Sequence, residues 1–353
     1  MKVAIIGAGA SGLFLANLLY DSKIDFTIFN NGKIGRKILA SGNGRCNIAN
    51  RNVDETKYHN NPLVKKILKN KDKVFEEFDK LKIYLKEDSE GRLYPISESS
   101  QSILNIFTKN VKNIVDTLVT KITKKNGKYI INDIYKDFDK VVISSGSISS
   151  VDDANIYEYL NGLDLKFNEF KPSLVGFKVK EKIKPISGVR AKCNVSLYNG
   201  NKLIHSEDGE IIFKDDGISG ICVMNLSSYY THLDKKINPY IKIDLLKGEH
   251  YDSYESVIHP KLLEFINKND INPSNFNLYI KDTYGFKNSQ VSKGGIDISS
   301  LNDDLSLKSD NNIYFTGEII DVDGVCGGYN LFFAFLSAIT VFEGLKWNIK
   351  LME

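Results

Sequence analysis

A glycine-rich motif between a short apolar run and a helical pattern constrains this chain more than any other feature. Residues 7–12 read GAGASG and follow the apolar run at residues 3–6. A second apolar run, residues 26–29, completes a predicted βαβ unit of about 30 residues. Such glycines allow a tight turn and a close approach of the backbone to a pyrophosphate at the helix N-terminus. The sequence therefore predicts a dinucleotide-binding unit in a parallel α/β sheet.

The end of the second predicted strand departs from the usual dinucleotide-binding pattern. An Asp or Glu at this place commonly accepts hydrogen bonds from the ribose hydroxyls, but here the residue is Asn30. An amide can bond a hydroxyl, although it does not repel a 2′-phosphate as a carboxylate does. We therefore expect Asn30 to contact the adenosine ribose without the charge preference of an acidic residue.

Length and composition bound the class of protein. The chain has 353 residues, which favours two domains, and its 47 basic and 44 acidic residues give a net charge of +3. This balance predicts no polyanionic partner for the molecule as a whole. The four cysteines and five histidines show no ligand spacing, so we expect no bound metal, no disulfide framework and a cytoplasmic protein. Glycines interrupt the apolar N-terminus, so we expect neither a signal peptide nor a membrane span.

The remaining pattern predicts helices at both ends and short strands in the middle. Amphipathic helices are expected at residues 64–81 and 103–111, and a buried strand at residues 141–144 returns the chain to the first sheet. An antiparallel sheet or small barrel is predicted from strands at residues 174–179, 193–197, 210–213, 221–226 and 240–246. The C-terminal part is expected to contain a helix at 260–267, a buried strand at 312–317 and an apolar helix at 331–345.

The stretch at residues 35–50, GRKILASGNGRCNIAN, is open to four interpretations. Its cations are compatible with a nucleic-acid patch, its cysteine with a metal half-site or a reactive thiol, and its glycines with a clamp on a cofactor. A metal site is poorly supported because no partner cysteine or histidine lies at ligand spacing. The place of the stretch directly after the βαβ unit favours the cofactor clamp.

Three further stretches carry a resemblance to a known family. Together with GAGASG, the stretches GRKILASGNGRCNIAN (35–50), GRLYPIS (91–97) and TGEIIDVDGVCGGYN (316–330) resemble the YhiN/BaiN-like family of FAD-dependent oxidoreductases. The resemblance implies a two-dinucleotide-binding-type, glutathione-reductase-like Rossmann FAD domain with an inserted β-barrel-like domain and a short helical segment. The implied boundaries are 1–165 and 291–353 for the FAD-binding domain, 166–247 for the barrel and 248–290 for the helical segment.

The resemblance also implies a set of cofactor contacts. The residues expected to bind FAD are Gly7, Gly9, Ala10, Ser11, Gly12, Asn30, Arg36, Lys37, Ser41, Gly42, Gly44, Arg45, Cys46, Asn47, Val119, Ser145, Gly146, Gly317, Glu318, Asp323, Gly327, Gly328, Tyr329 and Asn330. The family's glycine-rich loop after the third strand is shortened here to ISSVDDAN at residues 148–155. The walls of the substrate site are therefore expected to differ from those of other members.

The chemistry implied by the resemblance is reduction of an activated C=C bond with electrons from NAD(P)H, which binds transiently. A uridine of large-subunit ribosomal RNA, reduced to dihydrouridine, is preferred as substrate over a small conjugated 3-oxo compound. An amine oxidase, and a nucleic-acid-binding or partner-binding protein with structural FAD, are the alternatives. The candidate proton donors are Cys46, Cys326 and Tyr329, because a thiol with a pKa of about 8.5 is largely protonated at neutral pH.

A local cluster of cations bears on the partner. Residues 171–192 carry seven Lys or Arg side chains and one acid, Glu181. On a barrel surface these cations could contact RNA phosphates. The alternative is a solvated face of a lysine-rich protein. The residues expected to meet ribosomal RNA are Lys178, Lys180, Lys182 and Lys184.

Overall fold

The structure, a computed structural model, describes residues 1–59, 61–149 and 155–350. Most of the shortened loop at 148–155 lies outside the described residues. The strands, numbered in chain order, are β1 Lys2–Ile6, β2 Asp25–Asn30, β3 Ala49–Asn50, β4 Leu85–Glu87, β5 Arg92–Pro95, β6 Ile114–Asp116, β7 Ile122–Lys125, β8 Lys128–Ile131, β9 Tyr135–Phe138, β10 Lys140–Ile143, β11 Phe167–Ser173, β12 Phe177–Val179, β13 Arg190–Asn199, β14 Lys202–Phe213, β15 Gly217–Ser219, β16 Tyr240–Asp244, β17 Phe276–Thr283, β18 Val291–Ile296, β19 Ser306–Leu307 and β20 Asp310–Phe315. The α-helices are α1 Ala10–Asp21, α2 Arg36–Ala40, α3 Asn61–Ile67, α4 Lys71–Lys80, α5 Ser100–Thr108, α6 Ile221–Thr231, α7 Pro260–Lys268 and α8 Tyr329–Lys350.

The chain forms two compact units. The first unit contains Met1–Ile148, Asp153–Phe170 and Gly294–Glu353, and the second contains Ser149–Asp152 and Lys171–Lys293. The chain passes between them along β11 and β18, which pair with each other.

The first unit is built on a six-stranded sheet in the order β19-β20-β10-β1-β2-β6. The strands from β20 to β6 are parallel, and β19 is antiparallel to β20. The residues of β1 and β10 are almost all apolar and buried, as expected for strands covered on both faces. Because β1 and β20 come from opposite ends of the sequence, the predicted α/β sheet made from both chain ends is confirmed.

Helices of the first unit share an aromatic core around Phe14 of α1. Its ring centroid lies 5.8 Å from that of Phe78 in α4, 6.0 Å from Phe107 in α5 and 5.1 Å from Phe335 in α8. The last helix, α8, packs against these rings, and its apolar side chains are buried inside the first unit. Among the residues that the structure describes, no helix has the length and apolar character needed to cross a membrane.

Two small antiparallel sheets complete the first unit. One has the order β3-β5-β4 and the other the order β7-β8-β9. The first contains the end of the stretch 35–50 in β3 and most of GRLYPIS in β5, with Ala49 opposite Leu93. Two of the stretches that carry the family resemblance are thus joined by backbone pairing.

The second unit is a closed barrel in the order β12-β15-β14-β13-β16-β17, which confirms the predicted barrel. Side chains alternate along the strands, so that one set fills the interior together with apolar residues of α6 and α7. This core includes Phe177, Val195, Ile211, Ile243, Leu278, Leu226 and Leu262. The helix α7 and the strand β17 both lie in the span 248–290, so that span supplies a barrel strand as well as a helix.

Two predicted elements differ from the structure. The strand predicted at residues 221–226 is wrong, because these residues begin the helix α6. Cys222, Val223, Leu226 and Tyr230 are buried at helical spacing, and a short apolar run does not distinguish a buried strand from a buried helix. The single helix predicted at 64–81 is instead α3 and α4, separated by the 3-10 turn Leu68–Asn70. The turn is held by Asn70, whose buried Nδ2 donates to Thr340 Oγ1 at 3.1 Å.

The aromatic core predicts how two substitutions on α1 will differ. Phe14→Ala should lower the free energy of unfolding by about 3–5 kcal/mol, because it leaves a cavity among three other rings. Tyr20→Ala on the same helix should change it by less than about 0.5 kcal/mol, because the Tyr20 side chain is 50% exposed. Urea denaturation followed by circular dichroism measures both. Equal losses for the two variants would contradict the assigned core.

Candidate functional site

The glycine-rich turn joins β1 to α1 at the carboxyl end of the sheet. Gly7 has φ +109°, and a Cβ atom there would lie 2.6 Å from the carbonyl oxygen of Ser144 at the end of β10. A Cβ atom on Gly12 would lie 2.1 Å from the carbonyl oxygen of Gly7. The protein's own packing therefore requires glycine at both positions.

Gly9 differs from these two glycines because the protein does not require it. Its φ of −84° and ψ of −166° are open to other residues, and the nearest atom that an added Cβ would meet is the Ser144 oxygen, 3.9 Å away. Within the described chain no side chain caps α1, and its first turn carries no acid. The backbone N–H groups of this helix end can thus be approached closely by an anion. We call the start of α1 together with Gly7, Gly9 and Gly12 the cradle. A pyrophosphate fits this cradle.

Asn30, the predicted ribose contact, ties the end of β2 to the glycine-rich turn. Its Oδ1 accepts a hydrogen bond from Ala8 N at 2.9 Å, and its Nδ2 donates to Gly32 O at 2.9 Å. A carboxylate could make the first bond but not the second. Directly after the neighbouring strand β6, Thr117 N donates to Asn30 O at 2.9 Å, and the buried Val119 follows two residues later.

The stretch 35–50 begins as the short helix α2 and then turns sharply. Gly35 N donates to Ala8 O at 2.9 Å, which holds α2 against the glycine-rich turn. The following Gly42, Asn43, Gly44 and Cys46 all have left-handed φ values, of 57°, 53°, 85° and 61°. The chain reverses there within a few residues. The exposed Arg45 guanidinium lies over the Tyr94 ring, 5.0 Å from its centroid.

Lys37 links α2 to both ends of the chain. Its Nζ donates to Ser147 Oγ at 3.1 Å and forms an ion pair with the Glu318 carboxylate. Burial lowers the pKa of Lys37, while the ion pair with Glu318 opposes this shift. Lys37 and Glu318, both predicted to contact the cofactor, are therefore brought together, whereas Arg36 on the same helix is exposed.

The end of β20 meets the start of α1. Gly317 has φ +72°, its N donates to Ser337 Oγ at 2.8 Å, and an added Cβ would lie 2.7 Å from Ser11 Oγ. Just after the end of β10, Ser145 Oγ accepts a hydrogen bond from Tyr159 OH at 2.6 Å, and Gly146 O accepts one from Tyr157 OH at 3.0 Å. The ends of β1, β10 and β20 thus form one continuous edge.

The loop before α8 is held by polar side chains from the neighbourhood of β3. With its amide oriented to satisfy both groups, Asn47 donates to Ala49 O at 2.9 Å and accepts from Gly328 N at 3.0 Å. Asn50 Nδ2 donates to Gly327 O at 3.0 Å, and Tyr58 OH donates to Tyr329 O at 2.9 Å. Within the loop, Asn330 accepts from Gly324 N at 2.8 Å. The stretches 35–50 and 316–330 are therefore parts of one site.

The three candidate proton donors have different environments. Cys46 is fully buried, and burial raises the pKa of its thiol to about 11 against an opposing hydrogen bond with Ser41. Cys326 is partly exposed in the loop before α8. Tyr329 begins α8, is 7% exposed, and has a phenol pKa raised by burial.

All the residues predicted to bind the cofactor lie in the first unit, and Lys178, Lys180, Lys182 and Lys184 lie in the second. The sequence reasoning missed Tyr58, Ser147 and Ser337, each of which fixes a loop of the site. Asn50 lies at the end of the stretch 35–50, but no spacing rule distinguishes it. Tyr58 and Ser337 carry no local signal, since their partners are distant in sequence.

Comparison with known proteins agrees with this geometry. The sequence pattern of the family described as "HI0933-like protein Rossmann domain" matches residues 1–343. The 3-dehydro-bile acid delta(4,6)-reductase of Clostridium scindens is 28% identical, over 94% of this chain and 95% of that protein. The ribosomal RNA dihydrouridine synthase of Haemophilus influenzae is 24% identical, over 95% of this chain and 96% of that protein.

Solved structures share the fold at low sequence identity. The 3-ketosteroid delta1-dehydrogenase from Sterolibacterium denitrificans has a TM-score of 0.52 at 9% identity, over 98% of this chain and 99% of that chain. The open conformation of a flavocytochrome c3 fumarate reductase has a TM-score of 0.50 at 11% identity, over 97% of this chain and 78% of that chain. These likenesses concern the fold alone.

The unequal roles of Gly9 and Gly12 give a test of the cradle. Gly12→Ala should destabilise the protein by about 1–3 kcal/mol or more, because its Cβ would overlap the Gly7 carbonyl. Gly9→Ala should change the free energy of unfolding by less than about 1 kcal/mol, yet purify with much less FAD. Thermal melts and the flavin absorbance of the purified proteins measure the two effects. Normal flavin content in Gly9→Ala would contradict the placement of the pyrophosphate.

Proposed function

Because the chain belongs to the HI0933-like protein Rossmann-domain family, of FAD-dependent oxidoreductases, we propose that it reduces a C=C bond conjugated to a carbonyl group, with a uridine of large-subunit ribosomal RNA as substrate. The observation that carries the proposal is the meeting of two loops at the start of α8. One is the loop that holds Asn47 and leads into β3, where Asn50 lies, and the other holds Cys326, Gly327 and Gly328. Two relatives support it, the 3-dehydro-bile acid delta(4,6)-reductase and the ribosomal RNA dihydrouridine synthase, because both names describe reduction of such a bond.

The residues that would hold FAD follow from the cradle. The N–H groups at the start of α1 would bind the pyrophosphate, and Gly9 would leave room for it. Asn30 would contact the adenosine ribose, and the edge formed by Ser11 and Gly317 would contact the ribityl chain. Bound FAD supplies hydride transfer.

The start of α8 stabilises negative charge. Gly328 precedes the helix, and Phe332 N already donates to Gly328 O at 3.1 Å. The earlier N–H groups of the first turn have no carbonyl within the helix to bind, so they favour an anionic group at this end. In a reduction, such groups lower the energy of a transition state that develops negative charge.

Cys326 is the proton donor that the geometry favours. Reduction of a conjugated C=C bond adds a hydride to the β-carbon and a proton to the α-carbon, and Cys326 Sγ would deliver that proton. The donor must be reachable by the substrate, and Cys326 is partly exposed. Cys46 is fully buried, so its thiol is assigned to packing. Solvent would then return the proton to Cys326.

NAD(P)H is proposed as a transient electron donor. The chain carries one glycine-rich dinucleotide motif, at residues 7–12, and this motif is assigned to FAD. The pyridine nucleotide would therefore bind for the duration of reduction only. Mixing the protein with NADPH or NADH without oxygen tests this, since bleaching of the flavin absorbance is expected with at least one of them.

A small conjugated 3-oxo compound is the second candidate substrate. It is favoured by the 28% identity to the 3-dehydro-bile acid delta(4,6)-reductase. The same hydride and proton additions would apply, since uridine and a 3-oxo-4-ene both place a carbonyl next to the double bond.

Replacing Cys326 and Cys46 in turn should have different effects on turnover and on stability. Cys326→Ala should lower turnover per bound flavin by about 10²–10⁴-fold, the usual contribution of a general acid, with unchanged flavin content. Cys46→Ala should retain turnover per flavin and lower the free energy of unfolding by about 1–3 kcal/mol, because it removes a buried sulfur. Steady-state rates and urea denaturation measure both. The reverse pattern would assign the proton to Cys46.

The substrate is tested in cells. Loss of the gene should remove a dihydrouridine from ribosomal RNA, and a plasmid copy should restore it while a Cys326→Ala copy should not. Mass analysis of ribosomal RNA nucleosides measures the modified base. Unchanged dihydrouridine, together with reduction of a 3-oxo-4-ene steroid by the purified protein, would replace the RNA substrate with the small one.

A further inference from the structure

A row of three tyrosine rings lies on the outside of the barrel unit. Tyr198 of β13 is opposite Tyr240 of β16, and Tyr240 is opposite Tyr279 of β17. The ring centroids of Tyr198 and Tyr240 are 5.0 Å apart with their planes at 5°, and those of Tyr240 and Tyr279 are 5.3 Å apart. We call these three residues the tyrosine row.

The row faces outward because the strands alternate. The neighbours Leu197, Ile241 and Leu278 are fully buried in the barrel core, so the tyrosines between them point the other way. Each tyrosine of the row is half-buried. Cross-strand aromatic pairs stabilise a sheet. Because Tyr240 lies between the other two rings, the ring faces left for a further contact are those of Tyr198 and Tyr279 that point away from it.

Lysines surround the row. Lys180 Nζ lies 5.8 Å from the centroid of the Tyr279 ring, and Lys180 N donates to Tyr279 O at 2.9 Å. Lys242 and Lys281 lie two residues beyond Tyr240 and Tyr279 on the same outer face. The nearby acid Glu181 accepts a hydrogen bond from Tyr279 N at 2.9 Å, so its carboxylate is engaged with the backbone.

A second ring with lysines lies on the same unit. Lys178 Nζ is 5.7 Å and Lys214 Nζ is 4.9 Å from the centroid of the Tyr284 ring. Tyr284 OH donates to Asp216 at 2.6 Å, which fixes the ring. Tyrosine rings and lysine ammonium groups thus lie close together at two places on the barrel unit.

We propose that the tyrosine row binds single-stranded RNA, with bases stacked on the rings and phosphates held by Lys180, Lys242 and Lys281. Stacking on aromatic side chains along a basic surface is how proteins hold single strands. Lysine is depleted at protein–protein interfaces, so this surface suits a polyanion better than a protein partner. The proposal rests on the proposed function only for the choice of RNA as the polyanion.

The test uses the full-length protein with oxidised flavin and no electron donor, so that binding is measured without turnover. A fluorescein-labelled single-stranded oligouridylate should bind more tightly than duplex RNA in fluorescence anisotropy. Tyr240→Leu with Tyr279→Leu should weaken this binding at least tenfold, the loss typical of removing one stacked base. Tyr240→Phe with Tyr279→Phe should stay within about twofold, because the rings remain.

Two controls separate stacking from unfolding and from general charge. Tyr251→Leu, on the same unit and 39% exposed, should leave affinity unchanged. Lys180→Gln with Lys281→Gln should make the slope of log affinity against log salt concentration less steep, by the amount expected for the loss of about two phosphate contacts. If circular dichroism shows that the double leucine variant is unfolded, the lysine variant decides, and an unchanged salt dependence overturns the proposal.

Other outcomes also overturn it. These are unchanged affinity in a folded double leucine variant, equal affinity for duplex RNA, and a self-association that Tyr240→Leu abolishes in a protein with no RNA affinity. The proposed function fails on a different result, namely unchanged dihydrouridine in ribosomal RNA. If the protein binds single-stranded RNA through the tyrosine row but its loss leaves dihydrouridine unchanged, the RNA-binding proposal stands and the proposed ribosomal RNA substrate is wrong.

Discussion

The close approach of the first glycine-rich turn to its own helix and to the neighbouring strand is the constraint on which the site depends. An added Cβ on Gly12 would lie 2.1 Å from the Gly7 oxygen, and one on Gly7 would lie 2.6 Å from the Ser144 oxygen. Only backbone atoms fit between β1, α1 and β10 at this point. The helix therefore starts directly at the edge of the sheet, and its N–H groups face the space beside Gly9.

The rest of the site is closed by contacts between residues far apart in the sequence. Strand β20 lies beside β10, which brings Gly317 against Ser11. Lys37 then joins α2 to Glu318, and the buried environment that lowers the lysine pKa also makes the pair with Glu318 its main compensation. A cofactor site assembled in this way requires both ends of the chain, so it cannot form before the C-terminal strand has paired.

The parts of the structure that the sequence predicts are those with a local physical cause. The glycine spacing and the continuous apolar strands predicted the parallel sheet correctly, because each depends on a few neighbouring residues. The family resemblance, which rests on four stretches between residues 7 and 330, also proved correct. The strand predicted at 221–226 failed because the apolar run that begins α6 is short, and a run of that length does not distinguish a buried strand from a buried helix. The hydrogen bonds of Asn47, Asn50 and Tyr58 to the loop before α8 were not predictable, since their partners lie more than 270 residues away, as for Tyr58 with a separation of 271.

The left-handed backbone of the stretch 35–50 explains why glycines are frequent in it. Gly42 and Gly44 adopt this conformation readily, but Asn43 and Cys46 adopt it at a cost. The surrounding contacts must supply that energy, and they do so by burying Cys46 fully and by bonding its N to Ser41 O at 3.1 Å. The reversal places the next residue, Asn47, where its amide meets Gly328 N. Cys46 is thus a small side chain that allows a strained turn to be buried. Through Asn47, this turn also positions the loop that carries Cys326.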